Sequence, residues 1–191
     1  MNSGKKGILI GIAVVAIIVL ACAAFVAGKR NTFYQMRIEV QSAWAQVENQ
    51  LQRRFDLIPN LVETVKGYAK QEREVLLEVT NARARVGGAG TVPDKIAANN
   101  ELSGALSRLL LVVERYPDLK SNQNFLKLQD ELAGTENRIA VERMRYNQKV
   151  EAYNKAIGLF PGNIIAGWFD FKEETFFKVA EAAKETPKVQ F

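Results

Sequence analysis

From Ile8 to Ala27 the chain runs for twenty residues without a strongly polar side chain, and beyond Asn31 apolar positions recur instead every three or four residues. Twenty residues at about 1.5 Å each cover roughly 30 Å, the thickness of a bilayer's hydrocarbon core. Twelve of the twenty are Ile, Leu, Val or Phe, and together they favour insertion by very roughly 4–7 kcal/mol. Lys5 and Lys6 precede the run and Lys29 and Arg30 follow it, so charge stands at both headgroup layers. The segment Gly7 to Gly28 therefore predicts one transmembrane helix, and residues 1–30 form an anchor with its flanks. A buried core helix would show a polar face. Ala21-Cys22-Ala23 resembles a signal-cleavage site and Val19-Leu20-Ala21-Cys22 a loose lipobox, but apolar sequence continues past Cys22 through Val26, which favours a retained anchor.

The second pattern predicts four amphipathic helices over residues 31–161. Met36, Val40, Trp44, Val47, Leu51, Phe55 and Ile58 share one face of the first, which continues from the anchor. Pro59 is expected to stop it, with Asp56 to Asn60 as a tight connection. The second helix carries Leu61, Val65, Tyr68, Val75, Val79, Ala82 and Val86 up to Gly87, Gly88 and Gly90. Glu72 falls where an apolar residue belongs, so either the seam shifts towards Leu76 or a buried carboxylate needs a partner. Thr91 and Asp94 stand in capping-box register for a third helix, whose stripe from Leu102 to Tyr116 ends at Pro117. Ser121 is expected to cap a fourth, striped from Phe125 to Phe160 and closed by Pro161. Short connections between four such segments predict an all-α fold, an up-down-up-down antiparallel four-helix bundle.

Residues 162–191 form a tail of different character. Ile164, Ile165, Trp168, Phe169 and Phe171 cluster, Glu173 to Lys184 reads as helix-like, and Pro187 to Phe191 as extended. Aromatic surface of that extent is expected to be covered by the bundle, a second copy or lipid.

Charge narrows the partners. The chain of 191 residues has a net charge of +5, but residues 1–30 carry four basic and no acidic side chains, leaving 22 basic against 21 acidic. The basic character belongs to the membrane flanks, so the partners expected are the bilayer and no nucleic acid. Lys5 and Lys6 against Lys29, Arg30 and Arg37 do not fix orientation by the positive-inside rule. A short basic N-terminus before an apolar run leans towards an extracytoplasmic soluble domain.

Reactive groups are scarce. Histidine is absent and the single cysteine, Cys22, lies in the apolar run, which removes the usual general base and the commonest metal ligand. Gly87 to Thr91 lacks the Gly-Lys-Ser/Thr ending of a phosphate loop and follows a helix. No catalytic residue, cofactor or metal is expected, and the expectation is no enzyme. The best polar cluster is Glu136, Asn137, Arg138, Glu142 and Arg143, with Arg138 and Glu142 in i,i+4 register. It reads either as a partner or ligand site, or as a buried network, joined by Arg54 or Glu72 from facing helices, that fixes register; the second is favoured. Small residues four apart, Gly7 with Gly11 and Ala23 with Ala27, allow close helix approach in lipid. With Trp168, Phe169, Phe171 and Phe191 in the tail they suggest a homo-oligomer.

Arg53 to Ala69 (RRFDLIPNLVETVKGYA), Arg115 to Arg143 (RYPDLKSNQNFLKLQDELAGTENRIAVER), Tyr146 to Pro161 (YNQKVEAYNKAIGLFP) and the terminal Pro187 to Phe191 (PKVQF) resemble the LemA family of bacterial membrane proteins. The resemblance implies a single N-terminal transmembrane helix, an antiparallel four-helix bundle and no established enzymatic activity. The family's polar motif matches at Asp56, Asn60, Glu136, Asn137, Arg138, Arg143, Tyr146 and Asn147, none of them a known catalytic residue. The expectation is a scaffold that self-associates at the bacterial inner membrane; the alternative is an envelope sensor or adaptor that binds a partner protein or ligand through the polar cluster.

Overall fold

A computed structural model describes residues 3–178, with side chains from Leu9 onward. The order is α1 (Ser3–Tyr68), α2 (Arg73–Gly88), α3 (Val92–Val113), α4 (Pro117–Lys120), α5 (Gln123–Gly158) and α6 (Gly162–Trp168). Among the described residues there is no strand. The fold is all-α, and α1 begins with an apolar stretch long enough to cross a membrane.

Pro59 does not end the first helix; it lies inside α1. The missing N–H of Pro59 leaves the carbonyl of Phe55, four residues earlier, without its helical donor. Arg83 of α2 fills the gap, donating from Nε to Phe55 O at 3.1 Å. Its guanidinium also stacks on the Phe55 ring, 3.8 Å from the centroid. A tertiary contact thus replaces the lost hydrogen bond and the helix continues to Tyr68. The chain reverses instead at Ala69 to Glu72, so Glu72 sits at a turn and the seam resumes at buried Leu76.

Other helix ends follow local chemistry. Thr91 caps α3 as expected, its Oγ1 accepting from Asp94 N. The third helix stops at Val113, short of Pro117, which opens the single turn α4 from its first position. Asn122, not Ser121, caps α5: its Oδ1 accepts from Asn124 N and Phe125 N, both at 3.0 Å. Ser121 turns back, donating to Pro117 O.

The chain divides into two compact units. One comprises Ser42–Gln148 with the residues from Thr175. Its core draws Leu61 and Val65 from α1, Val79 from α2, Leu102 and Leu109 from α3, and Phe125 and Leu132 from α5. The other comprises the residues up to Gln41 with Lys149–Glu174. There Phe33, which the stripe starting at Met36 overlooks, is buried and meets Phe171 edge-on at 5.6 Å. A Cβ on Gly162 would stand 2.2 Å from Ala156 O and 3.2 Å from the Phe33 ring, so this close approach admits only glycine.

Residues 171–178 are not helical, contrary to the helix-like reading from Glu173. Side chains claim their backbone groups instead, as described below. The remainder of that run, the extended Pro187 to Phe191 and the candidate Phe191 lie outside the described residues, and Gly7 lies on α1 among positions whose side chains are not described.

Candidate functional site

Arg54 on α1 heads the large, fully buried side chains among the described residues, at 2% exposure. Its Nη1 donates to Glu136 Oε1 at 2.7 Å and to Ser103 Oγ at 2.8 Å. Its Nη2 donates to Asn99 Oδ1 at 2.6 Å and to Asn99 O at 3.2 Å. Asn99 is itself oriented by donating to Lys95 O at 2.8 Å. Three helices therefore converge on one guanidinium. A buried cation is tolerated when its donors are used, and here only Nε lacks a partner. Asn99 and Ser103 carried no sequence signal, since Asn99 precedes the stripe that starts at Leu102 and Ser103 stands beside it.

The other members of the predicted polar cluster lie elsewhere. Asn137 and Arg138 are exposed. Glu142 accepts from Arg145 at 2.7 Å, so its pairing is not with Arg138. Glu72 accepts from Arg115 Nη2 and from the Tyr116 hydroxyl, both at 3.0 Å. That hydrogen bond to a carboxylate holds the Tyr116 phenol above its ordinary pKa, with burial and the Glu72 charge acting in the same direction.

Arg143 joins a second arrangement, around the segment from Thr175 to Lys178. Its guanidinium lies 5.8 Å from the Phe177 ring centroid. Phe177 is buried and faces Trp44 at 6.2 Å, while Trp44 meets Tyr146 edge-on at 5.2 Å. The backbone is gripped by side chains. Asn147 Nδ2 donates to Phe177 O at 3.0 Å and its Oδ1 accepts from Phe177 N at 2.8 Å. The Tyr146 hydroxyl donates to Thr175 O at 2.7 Å, and Asn100 Nδ2 donates to Lys178 O at 3.1 Å. Each amide side chain takes up backbone groups that a helix would pair internally, which explains why a helix-like sequence is not helical here.

The unit containing the anchor repeats the device. Asn154 Nδ2 donates to Glu174 O and its Oδ1 accepts from Glu174 N, both at 2.9 Å. Arg37 stands 3.7 Å from the Glu174 carboxylate. Tyr153 is buried and its hydroxyl has no hydrogen-bond partner among the described residues; burial raises its pKa. Of the candidates for self-association, Gly11, Ala23 and Ala27 are exposed along α1. Trp168 and Phe169 are exposed on and just after α6, whereas Phe171 is partly covered.

Among the described residues no three or more His, Cys, Asp or Glu side chains converge. A groove of about 500 Å³ is lined by Val62, Leu76, Leu77, Lys66, Lys70 and Arg73. A smaller one, about 240 Å³, reaches Ser103 and Glu136 at the edge of the Arg54 network.

A sequence model of the LemA family matches residues 43–191. The chain is 29% identical over 204 residues to Magnetosome protein MamQ 2 of Paramagnetospirillum magneticum, covering 92% of this chain and 75% of that protein. It is 26% identical over 201 residues to Magnetosome protein MamQ of Magnetospirillum gryphiswaldense, covering 90% and 74%. Against Protein LemA of Metamycoplasma hominis the identity is 25% over 158 residues, covering 81% and 71%.

Proposed function

The chain belongs to the LemA family, and we propose that it is a non-enzymatic, single-pass protein of the bacterial inner membrane that self-associates there as a scaffold. The observation that carries this reading is α1. One helix runs from an apolar stretch, no part of which is buried against the rest of the chain, into the core that surrounds Arg54. Exposed large side chains from Leu9 to Leu20 require a hydrocarbon environment. We further read α1, α2, α3 and α5 as the antiparallel bundle, with its soluble part on the extracytoplasmic side; short connections and a shared core support the first. Gly11 has no neighbouring atom within 4 Å of the position of a Cβ, and with Ala23 and Ala27 it offers a second α1 a smooth surface.

The test is the size of the full-length protein in mild detergent, by light scattering and electron microscopy, beside Gly11→Leu and Ala23→Leu. Large particles that shrink in the variants support the scaffold. Monodisperse monomers throughout contradict it. Labelling of single-cysteine variants in a Cys22→Ser background with a membrane-impermeant reagent determines the side.

A second reading, an adaptor that binds an envelope protein or ligand, is favoured by Glu136. Its side chain is 42% exposed and lines the 240 Å³ groove, so a ligand could reach the network's edge. Folded Glu136→Gln and Arg138→Ala variants that retain every partner captured by the wild type would count against it.

A further inference from the structure

Leu159 to Phe169 (LFPGNIIAGWF) is eleven residues without a charge, and only one side of it is used inside the protein. Gly162, Ile165 and Ala166 face inward and are buried. Ile164 and Trp168, four apart on α6, are exposed, as are Leu159 and Phe160 in the turn before it; Phe160 is 79% and Trp168 68% exposed. Apart from Asn163 the exposed surface of this segment is apolar, and apolar surface of that extent needs cover.

Its position says what that cover is. The Arg30 guanidinium lies 5.3 Å from the Phe169 ring centroid, and Phe33 meets Phe171. Arg30 stands two residues beyond Gly28, the end of the apolar stretch, and Phe33 is three residues further along α1. That step is a rise of about 4.5 Å, whereas each headgroup layer is roughly 5–7 Å deep. The outward face of α6 therefore stands at the level where Trp and other amphipathic rings concentrate in membrane proteins.

The geometry points to a second membrane contact: Leu159, Phe160, Ile164 and Trp168 form a collar that lies in the headgroup and upper acyl region of the bilayer crossed by α1. The inference rests on the anchor reading above. Its ligand is the lipid surface, and it assigns Trp168 and Phe169 to lipid instead of to a second copy. A collar of this kind adds an off-axis attachment beside the span, which restricts how the anchor tilts and rotates.

The chain has two tryptophans, and Trp44 is buried at 8% exposure, so Trp168 can be read by difference. Full-length wild type and Trp168→Phe are reconstituted in phosphatidylcholine–phosphatidylglycerol vesicles carrying a nitroxide at acyl position 5 or 12. Flotation of the same samples reports the anchor independently. The wild-type-minus-variant emission should be blue-shifted and quenched about twofold or more by the shallow probe, and less by the deep one. Phe160→Trp in the Trp168→Phe background should report the same depth, which keeps the test valid if either substitution disturbs α6. Vesicles that float with the protein but leave this emission water-like and unquenched overturn the collar while the anchor stands. Blue-shifted, unquenched emission also overturns it, since protein then covers the face. Failure to float removes both readings.

Discussion

Arg54 on α1 places its Nη1 2.7 Å from Oε1 of Glu136 on α5, and the two ends of this pair lie in different environments: Arg54 is 2% exposed, Glu136 42%. The guanidinium is the desolvated partner, so the pair is held mainly by what surrounds Arg54. Glu136→Gln keeps a hydrogen-bond acceptor and is expected to cost about 1–2 kcal/mol. Arg54→Ala strands Asn99 and Ser103 and opens a cavity, at about 3–5 kcal/mol. Urea denaturation of the two variants checks the order; a larger loss for Glu136→Gln would mean that the charge pair, and not the buried donor set, dominates.

Pro59 and Arg83 should be energetically coupled. Arg83→Met leaves Phe55 O without a donor and is expected to cost about 1–3 kcal/mol. In a Pro59→Ala background the restored N–H of residue 59 takes that carbonyl, and the same substitution should cost about 1 kcal/mol less. A double-mutant cycle with no coupling would falsify this account of how the helix passes the proline.

Asn147 should control the segment around Phe177. Asn147→Ala removes both of its backbone hydrogen bonds, and Asn147→Asp keeps the acceptor but sets an anion against Phe177 O. Both are expected to speed hydrogen exchange at residues 175–178 by about tenfold, the equivalent of about 1.4 kcal/mol of local opening, with Asp at least as severe as Ala. Unchanged exchange would mean that the Phe177 ring alone holds the segment.

The two raised tyrosines predict behaviour at alkaline pH. Hydrogen bonding to Glu72 raises the Tyr116 pKa in the folded state above the ordinary 10.0, and burial raises that of Tyr153. The native state then holds these protons more tightly than the unfolded chain. Their contribution to stability is fully present below pH 10 and is lost as pH rises through the folded values. Thermal unfolding between about pH 9 and 11.5 should fall more steeply in wild type than in Tyr116→Phe. Tyr153→Phe should flatten the curve too. It should also raise stability at neutral pH by up to about 1 kcal/mol, since it deletes a buried hydroxyl that has no partner.

Part of this protein follows from local rules. The apolar run of α1, the Thr91 cap and the buried stripe positions Val47, Leu61, Val79 and Leu109 were legible because period, length and capping are properties of neighbouring residues. Arg54 was legible as a charge from a facing helix able to join Glu136, but its other partners were not. What only the tertiary structure decided are the places where a distant side chain overrides a local preference. Arg83 carries α1 past Pro59, Asn147 and Asn154 hold a non-helical backbone where the sequence is helix-like, and Asn99 and Ser103, off the predicted stripe, become the seat of a buried cation. In each case a backbone or side-chain polar group that must be satisfied is met by a residue 20 or more positions away, and a periodicity reading has no access to pairings at that range.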